Sequence, residues 1–341
     1  MAGNVYGLDL GTHEIRIFDK KKNGFRREKD AIAMKDKKDI FAVGDGAYAI
    51  YEKSPADIQV VFPMKEGVIA RFDDMQYLLG ALLKADGRPA RSAQYVIAVP
   101  TDVTEVEKKA FYDLFFHYGA KAKSVRIVER GLADAIGCGV DVSSEKGIFV
   151  ANFGAGTTEL SVLSQGGMVM NRLLKTGGGN LDSAIVSLVR RSRDFLIGMT
   201  TAEKLRMEFG VFDQSTDSAL TVSGRDLVSG VPSQAEISIS LVRAAMKEPL
   251  EECVRAMRSM FERTPPDVRR AIEQKGICLT GGLARMKGLS TYLEESTGLT
   301  VLTADEPEMC AVRGLKEIIL DRGLYRQLTY SMLDEDYRWL R

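Results

Sequence analysis

The 341-residue sequence predicts an α/β protein built from a duplicated unit around a shared cleft, and three observations carry that prediction. The chain is about twice the ~100–200 residues of a single domain. Residues 5–12, followed by the alternating Ile15-Arg16-Ile17-Phe18, return in mid-chain as residues 147–158 followed by Glu159-Leu160-Ser161-Val162-Leu163. Each copy reads as strand, Gly/Thr-rich turn and strand, which makes a β-hairpin rather than a βαβ unit. Helical periodicity alternates with these strands along the rest of the chain.

Taken in order, the first hairpin is followed by a Lys-rich turn at residues 20–23, and the apolar run 95–100 is strand-sized. Residues 104–118 predict a helix, with Thr104 and Glu107 spaced as a capping box and Val106, Ala110, Leu114 and Phe115 at helical spacing. After the second hairpin, Gln165-Gly166-Gly167 is a turn and residues 168–174 a third strand. Residues 181–193 predict an amphipathic helix with an Arg-rich face, and 202–209 and 237–261 two more. Pro265-Pro266 marks a loop between helices, and residues 277–280 form a short strand.

Composition closes off several classes. Hydrophobic residues at 45% and charged residues at 28% exclude disordered and collagen-like chains. Lys+Arg 47 against Asp+Glu 47 removes long-range attraction for nucleic acid or anionic lipid. Cys138, Cys253, Cys278 and Cys310 have no CxxC spacing and read as reduced core residues of a cytoplasmic protein. Only His13 and His117 are present, which argues against a zinc site or a His-based triad. The start of the chain reads directly into a strand, without the pattern of a signal peptide, and no apolar run nears the ~20 residues of a membrane span.

Four segments together fit one nucleotide. Asp9-Leu10-Gly11-Thr12 offers a carboxylate able to hold a hydrated divalent cation, a Gly for close backbone approach, and a hydroxyl. Gly154-Ala155-Gly156-Thr157-Thr158 repeats that role from the opposite side. Thr176-Gly177-Gly178-Gly179-Asn180 leads into a helix start, suited to phosphate or ribose. Leu279-Thr280-Gly281-Gly282-Leu283 follows a strand and precedes Ala284-Arg285-Met286. Each alone is an ordinary Gly-rich turn; the four in this order point to a site.

These segments, with Phe62-Pro63-Met64-Lys65-Glu66-Gly67-Val68-Ile69-Ala70, Val99-Pro100, Thr201-Ala202-Glu203-Lys204 and Thr264-Pro265-Pro266, give the chain a resemblance over nearly its whole length to the bacterial actins of the MreB/Mbl family. That family lies in the actin, sugar-kinase and DnaK-type chaperone superfamily. The resemblance implies an actin-like ATPase fold: two duplicated ribonuclease H-like domains flanking a nucleotide cleft, each with a smaller subdomain. It implies domain I at about 1–145 and 310–341 (small subdomain about 32–68) and domain II at about 146–309 (small subdomain about 182–262). It implies ATP or ADP with Mg²⁺ and head-to-tail polymerisation.

Carried over by the resemblance, Asp9, Gly11 and Thr12, with His13 beside them, form the first phosphate loop, Asp9 reaching the metal through water. Gly154, Gly156, Thr157 and Thr158 form the second, Thr157 with a catalytic role, and Gly177, Gly178 and Gly179 the connecting loop. Glu203 and Arg206 resemble the pair facing adenosine, although their i,i+3 spacing also suits a surface ion pair. Gly281, Gly282, Arg285 and Met286 resemble the adenine-side loop.

Three positions depart from the family pattern. Asn152 stands where the second hairpin turn usually opens with Asp. Arg130, 22 residues before Asn152, occupies the position of the Glu that positions the attacking water; a shift of one residue would put Glu129 there instead. Leu283 stands where Gly is common. An arginine stabilises phosphate charge but neither accepts a proton nor orients water as a base, so the expectation is ATP binding with slow or absent hydrolysis.

The expected partners are further copies of the chain in a filament and membrane-bound cell-wall elongation proteins at the inner face of the membrane, with no nucleic acid. The loop Asp86-Gly87-Arg88-Pro89-Ala90-Arg91-Ser92 is polar and basic, which argues against direct insertion. The tail from Leu324 to Trp339 and Leu340 reads as a packed extension, a partner-binding helix or a shallow membrane contact. A cytoskeletal filament protein guiding rod shape is the leading reading. The alternatives are a non-polymerising nucleotide-bound scaffold and a small-molecule kinase of the same superfamily.

Overall fold

The repeat seen in the sequence is a repeat of sheet topology. In the computed structural model, which describes residues 4–36, 39–85, 88–89, 92–116, 122–211 and 218–333, two five-stranded sheets have the same plan. The first runs in the order Ala122–Glu129, Ala93–Val99, Val5–Leu10, Glu14–Asp19, Gly24–Lys29, parallel up to the central strand and antiparallel beyond it. The second runs Val301–Thr303, Ile277–Thr280, Ile148–Phe153, Thr158–Ser164, Gly167–Leu174 with the same change of direction at the same place. The central strands are buried on both faces, which is why Val5–Leu10 and Ile148–Phe153 read as nearly continuous apolar runs.

Two helices hold the sheets together. Arg130–Gly137 leaves the first sheet toward the second, and Cys310–Leu320 returns from the second. Their backbones touch: a Cβ on Gly137 would lie 1.9 Å from the Cys310 carbonyl oxygen, and one on Gly314 would lie 1.8 Å from that of Ala133. Only glycine allows this approach, so the two crossovers form one tight joint. A mixed core of Phe18, Val96, Val128, Leu132, Val150, Leu163, Val312 and Leu315 surrounds it.

Each large sheet has a three-stranded companion: Asp39–Val43, Ile32–Lys35 and Ile58–Val61, and Phe195–Leu196, Ala219–Asp226 and Pro232–Ser238. The last hairpin is not evident in the sequence, because both strands are mostly exposed and polar and lack a periodic apolar face.

Helix bounds differ from the periodic reading in explicable ways. The first expected helix spans Glu105–Asp113, with Thr104 as its cap in the anticipated capping box. The long helix begins at Ile239 instead of 237, because Ile237 pairs with Leu220 in the sheet and Ser238 caps the helix through Leu241 N–H. It tolerates Pro249 in its interior. The helix expected over 181–193 begins at Gly178, so the glycine segment forms its first turn. His117, most of the basic loop 86–92 and the tail beyond Leu333 lie outside the described residues.

Candidate functional site

A cavity of about 750 Å³ lies between the two sheets, and the turns of the two hairpins face each other across its floor. A Cβ on Gly156 would come within 2.8 Å of Thr12 Oγ1, so this glycine is what lets the second turn approach the first. Gly67 closes the third side: its N–H donates to Thr12 Oγ1 at 3.2 Å, and its positive φ of 80° places it against the Thr157 side chain. The family-like segment 62–70 thus folds back to touch both turns.

Most of the expected residues meet here. Asp9, Gly11, Thr12, His13, Arg130, Asn152, Gly154, Gly156, Thr157, Gly178, Gly179, Glu203, Arg206, Gly281, Gly282 and Arg285 all line the cavity. Four do not. Thr158 is fully buried and donates to the Thr176 carbonyl at 2.8 Å. Gly177 backs onto the 155–157 turn, and Met286 is packed in the core beneath the second sheet. Glu129 points out of the cleft, accepting from Tyr330 Oη at 2.7 Å with Lys108 Nζ at 3.6 Å, while the next residue, Arg130, turns in. The one-residue shift that would make Glu129 the water-positioning group is therefore not supported by its direction.

Arg206 corrects the surface-pair reading. It is buried and forks onto Asp182, Nε to Oδ1 at 2.7 Å and Nη2 to Oδ2 at 3.1 Å; Glu203 is only a distant third partner at 3.8 Å. Asp182 stands on Gly178–Arg193 and Arg206 on Met199–Phe209, so the fork locks the two helices that form that wall.

The charge arrangement of the two turns is less symmetrical than their backbones. Asp9 sits directly across the first hairpin from Arg16, and Asn152 directly across the second from Glu159. Arg16 Nη1 is 3.1 Å from one Asp9 oxygen, and Arg130 Nη2 is 3.4 Å from the other. Arg130 also reaches the Leu10 carbonyl at 3.4 Å and lies 4.0 Å from the buried Glu159 carboxylate. Asn152 Nδ2 donates to Asp134 at 2.7 Å. Burial pushes the Asp134 carboxyl up to about 8, against the lowering effect of that hydrogen bond, so the acid is protonated at neutral pH.

Farther along the same wall, Glu14 collects Arg16, Arg27 and Lys29 at 3.0, 3.1 and 3.7 Å. Burial works to raise its pKa, but these three cations outweigh it and hold the carboxyl below its ordinary range. Desolvation and the nearby Lys29 lower the His13 pKa; the ring sits 2.8 Å from Lys29 Nζ and edge-on to Tyr48. Arg285 pairs with Glu308 at 2.7 Å beside Gly281 and Gly282. Tyr48, Tyr51, Phe62, Met199 and Met207 add apolar surface. Sequence reasoning passed over this group because aromatics in a loop region and cations on a strand have no motif; the only signal was the alternation that puts Glu14 and Arg16 on one face of their strand.

A resident Mg²⁺ needs oxygen donors whose charge is not already spent. Asp9 carries two guanidinium partners, Asn152 is neutral and engaged with a protonated Asp134, and no group of three or more metal-type side chains occurs among the described residues. The residues present do not fit the expected arrangement in which Asp9 serves the metal through water.

Two matched sheets, joined by a pair of crossover helices and enclosing a cleft where two hairpin turns oppose each other, define a protein of the actin-like class. Comparison with solved structures bears this out: a crystal structure of MreB5 of Spiroplasma citri bound to ADP superposes with a TM-score of 0.88 at 28% identity, covering 95% of this chain and 98% of that one. A MamK double helical filament shares the fold at a TM-score of 0.78 and 17% identity, covering 93% of this chain and 99% of that one. The model of the MreB/Mbl protein family matches residues 3–325, and the chain belongs to that family. It is 33% identical over 323 residues to cell shape-determining protein MreB of Escherichia coli strain K12, covering 92% of each chain. It is 32% identical over 319 residues to cell shape-determining protein Mbl of Bacillus subtilis strain 168, covering 92% of this chain and 95% of that one.

Proposed function

We propose that the chain binds an adenine nucleotide in the cleft and polymerises into cytoskeletal filaments that organise cell-wall synthesis and rod shape. The observation that carries the nucleotide reading is the opposition of Gly11-Thr12 and Gly154–Thr157 across a cavity of about 750 Å³, within the ~300–1,000 Å³ of small-molecule sites. The similar MreB5 structures hold ADP and AMPPNP, which agrees with it. Thr12 and Thr157 supply hydroxyls at the phosphate end, and Gly281, Gly282 and Arg285 border the base end. The filament reading rests on family membership and on the fold shared with MamK.

Hydrolysis is slow or absent in this reading. No carboxylate at the phosphate end is free to orient water: Asp9 is held by two arginines, Glu129 faces away, and Glu159 is fully buried behind Arg130. The same absence of a base weakens the kinase alternative. In this reading, contact with the cell-wall elongation machinery passes through membrane-bound partner proteins; among the described residues no helix is long and apolar enough to cross a membrane. The protein works in the cytoplasm at the inner membrane face.

The test is high-speed pelleting and phosphate release on one sample with ATP. Nucleotide-dependent pelleting with phosphate release near the buffer background supports the reading. Steady phosphate release that Asp9→Ala abolishes would overturn the hydrolysis part; nucleotide binding without pelleting would favour the scaffold.

A further inference from the structure

We propose that Arg16 and Arg130 form a paired guanidinium clamp that neutralises the nucleotide's phosphates in place of a divalent cation, so that nucleotide occupancy does not depend on Mg²⁺. This rests on the nucleotide reading of the same cleft and adds to it a mode of recognition.

Three observations carry it. First, the two arginines approach the same carboxylate from different elements. Arg16 is fixed by hairpin register, directly opposite Asp9, and Arg130 opens the crossover helix Arg130–Gly137. They flank Asp9 at 3.1 and 3.4 Å, one on each oxygen. Each Asp9 oxygen thus already faces a guanidinium, and a hydrated cation would have to compete with both arginines for this carboxylate.

Second, the arginines are nearly out of solvent and only partly satisfied. Their side chains are 13% and 8% exposed. A guanidinium has five N–H donors; the terminal nitrogens of Arg16 face Asp9 and Glu14 and those of Arg130 face Asp9, the Leu10 carbonyl and, at 4.0 Å, Glu159, while Nε of Arg16 and Nε of Arg130 are both buried without a hydrogen-bond partner. Two unmatched donors in a low-dielectric pocket are costly unless an anion completes them. A phosphate chain supplies acceptors of the right geometry, since guanidinium and phosphate pair in two parallel bonds.

Third, the second hairpin turn contributes no compensating negative charge. Asn152 replaces a carboxylate with an amide that donates to Asp134, and the opposite residue, Glu159, is buried and faces Arg130 at 4.0 Å. Arg16, Arg27, Lys29, Arg130 and Arg285 against Asp9, Glu14, Glu308 and, behind Arg130, Glu159 leave a small cationic excess on this wall of the cavity. An ATP or ADP phosphate chain meets the positive charge that a metal would otherwise bring.

The experiment measures the affinity of the full chain for ATP carrying a fluorescent ribose label, in buffer with millimolar Mg²⁺ and in buffer with millimolar EDTA. Absence of binding in both buffers would overturn the nucleotide reading itself. Given binding with Mg²⁺, the clamp predicts that EDTA changes Kd by less than about threefold, and a loss of about tenfold or more overturns it. Arg16→Leu should weaken binding in EDTA by about tenfold and make it recover with Mg²⁺, because Asp9 is released to the metal. Arg16→Lys, which keeps the charge and the fold, should fall between the two. An Arg16→Leu chain that melts like the wild type and binds equally well in both buffers overturns the clamp.

Discussion

Glu52 caps a helix that belongs to the opposite half of the molecule: its carboxylate accepts from the backbone N–H groups of Met199 and Thr200 at 2.7 and 3.1 Å and from Thr200 Oγ1 at 2.7 Å. Gly198 precedes the helix with no side chain of its own to cap it, and an added Cβ there would lie 2.7 Å from Glu52 Oε2. A carboxylate at a helix start is favoured by the free N–H groups and the helix dipole. This contact spans the mouth of the cleft.

Glu52→Ala should therefore act on the opening of the cleft more than on stability. The contact is solvent-exposed and contributes about 1 kcal/mol. Release of labelled nucleotide, followed by stopped flow, should accelerate about three- to tenfold, with the thermal midpoint nearly unchanged. An unaltered release rate would show that the mouth opens elsewhere.

Arg206→Ala should be among the most damaging single changes in the cleft wall. It leaves Asp182 buried without its forked partner, at a cost of about 3–5 kcal/mol. Urea denaturation checks the size of the loss. Asp182→Asn combined with Arg206→Met should recover part of it by removing both charges, whereas a surface ion pair would show losses below about 1 kcal/mol in every case.

Stability should fall as pH rises from 5 to 8. Burial pushes the Asp30 carboxyl up to about 7 and the Asp134 carboxyl up to about 8, from ordinary values of 3.8. Between those limits the native chain holds protons that the unfolded chain has released, so deprotonation on unfolding favours the unfolded state as pH increases. Each carboxyl contributes a slope of up to ~1.4 kcal/mol per pH unit. Between pH 7 and 8 Asp134 dominates, and Asp134→Asn should flatten the curve there relative to the wild type. Equal slopes in the two proteins, measured by urea midpoints, would count against a protonated Asp134.

Tyr330→Phe should lower stability by about 1–2 kcal/mol through the loss of the 2.7 Å bond to Glu129, whose other oxygen is buried without a partner. Deleting residues 329–341 should cost more. Tyr330 exchanges both backbone hydrogen bonds with Ile127, at 2.8 and 3.1 Å, and so covers the free edge of strand Ala122–Glu129. Thr329 and Ser331 add bonds to Arg126 and Tyr112. Thermal melts and concentration-dependent light scattering report the two effects, since an uncovered edge strand invites pairing with another chain. From Leu328 to Ser331 the tail is thus a packed extension, one of the three readings its sequence allowed.

The hairpins, the four glycine segments and the helix cap at Thr104 were legible in the chain alone. These follow from local chemistry: alternation with period two, glycine where backbones must approach, and a hydroxyl three residues before a Glu. Because the unit is duplicated, the local signals also implied that the two turns face each other, and the facing of Gly156 and Thr12 follows. Even the Asp9 and Arg16 pairing was available, since a tight turn sets the register of a hairpin.

Tertiary structure alone decided the direction of Glu129 and Arg130, which are adjacent in sequence but stand where strand passes into helix. One side chain goes to the sheet edge and Tyr330, the other to the cleft and Asp9. Tertiary structure also chose Asp182 over Glu203 as the partner of Arg206 and brought Glu52 to Thr200 across 148 residues. The physical reason is common to all three. A charged side chain, buried like Arg206 or exposed like Glu52, takes whichever partner the packing of distant elements places beside it, and no spacing along the chain records that choice.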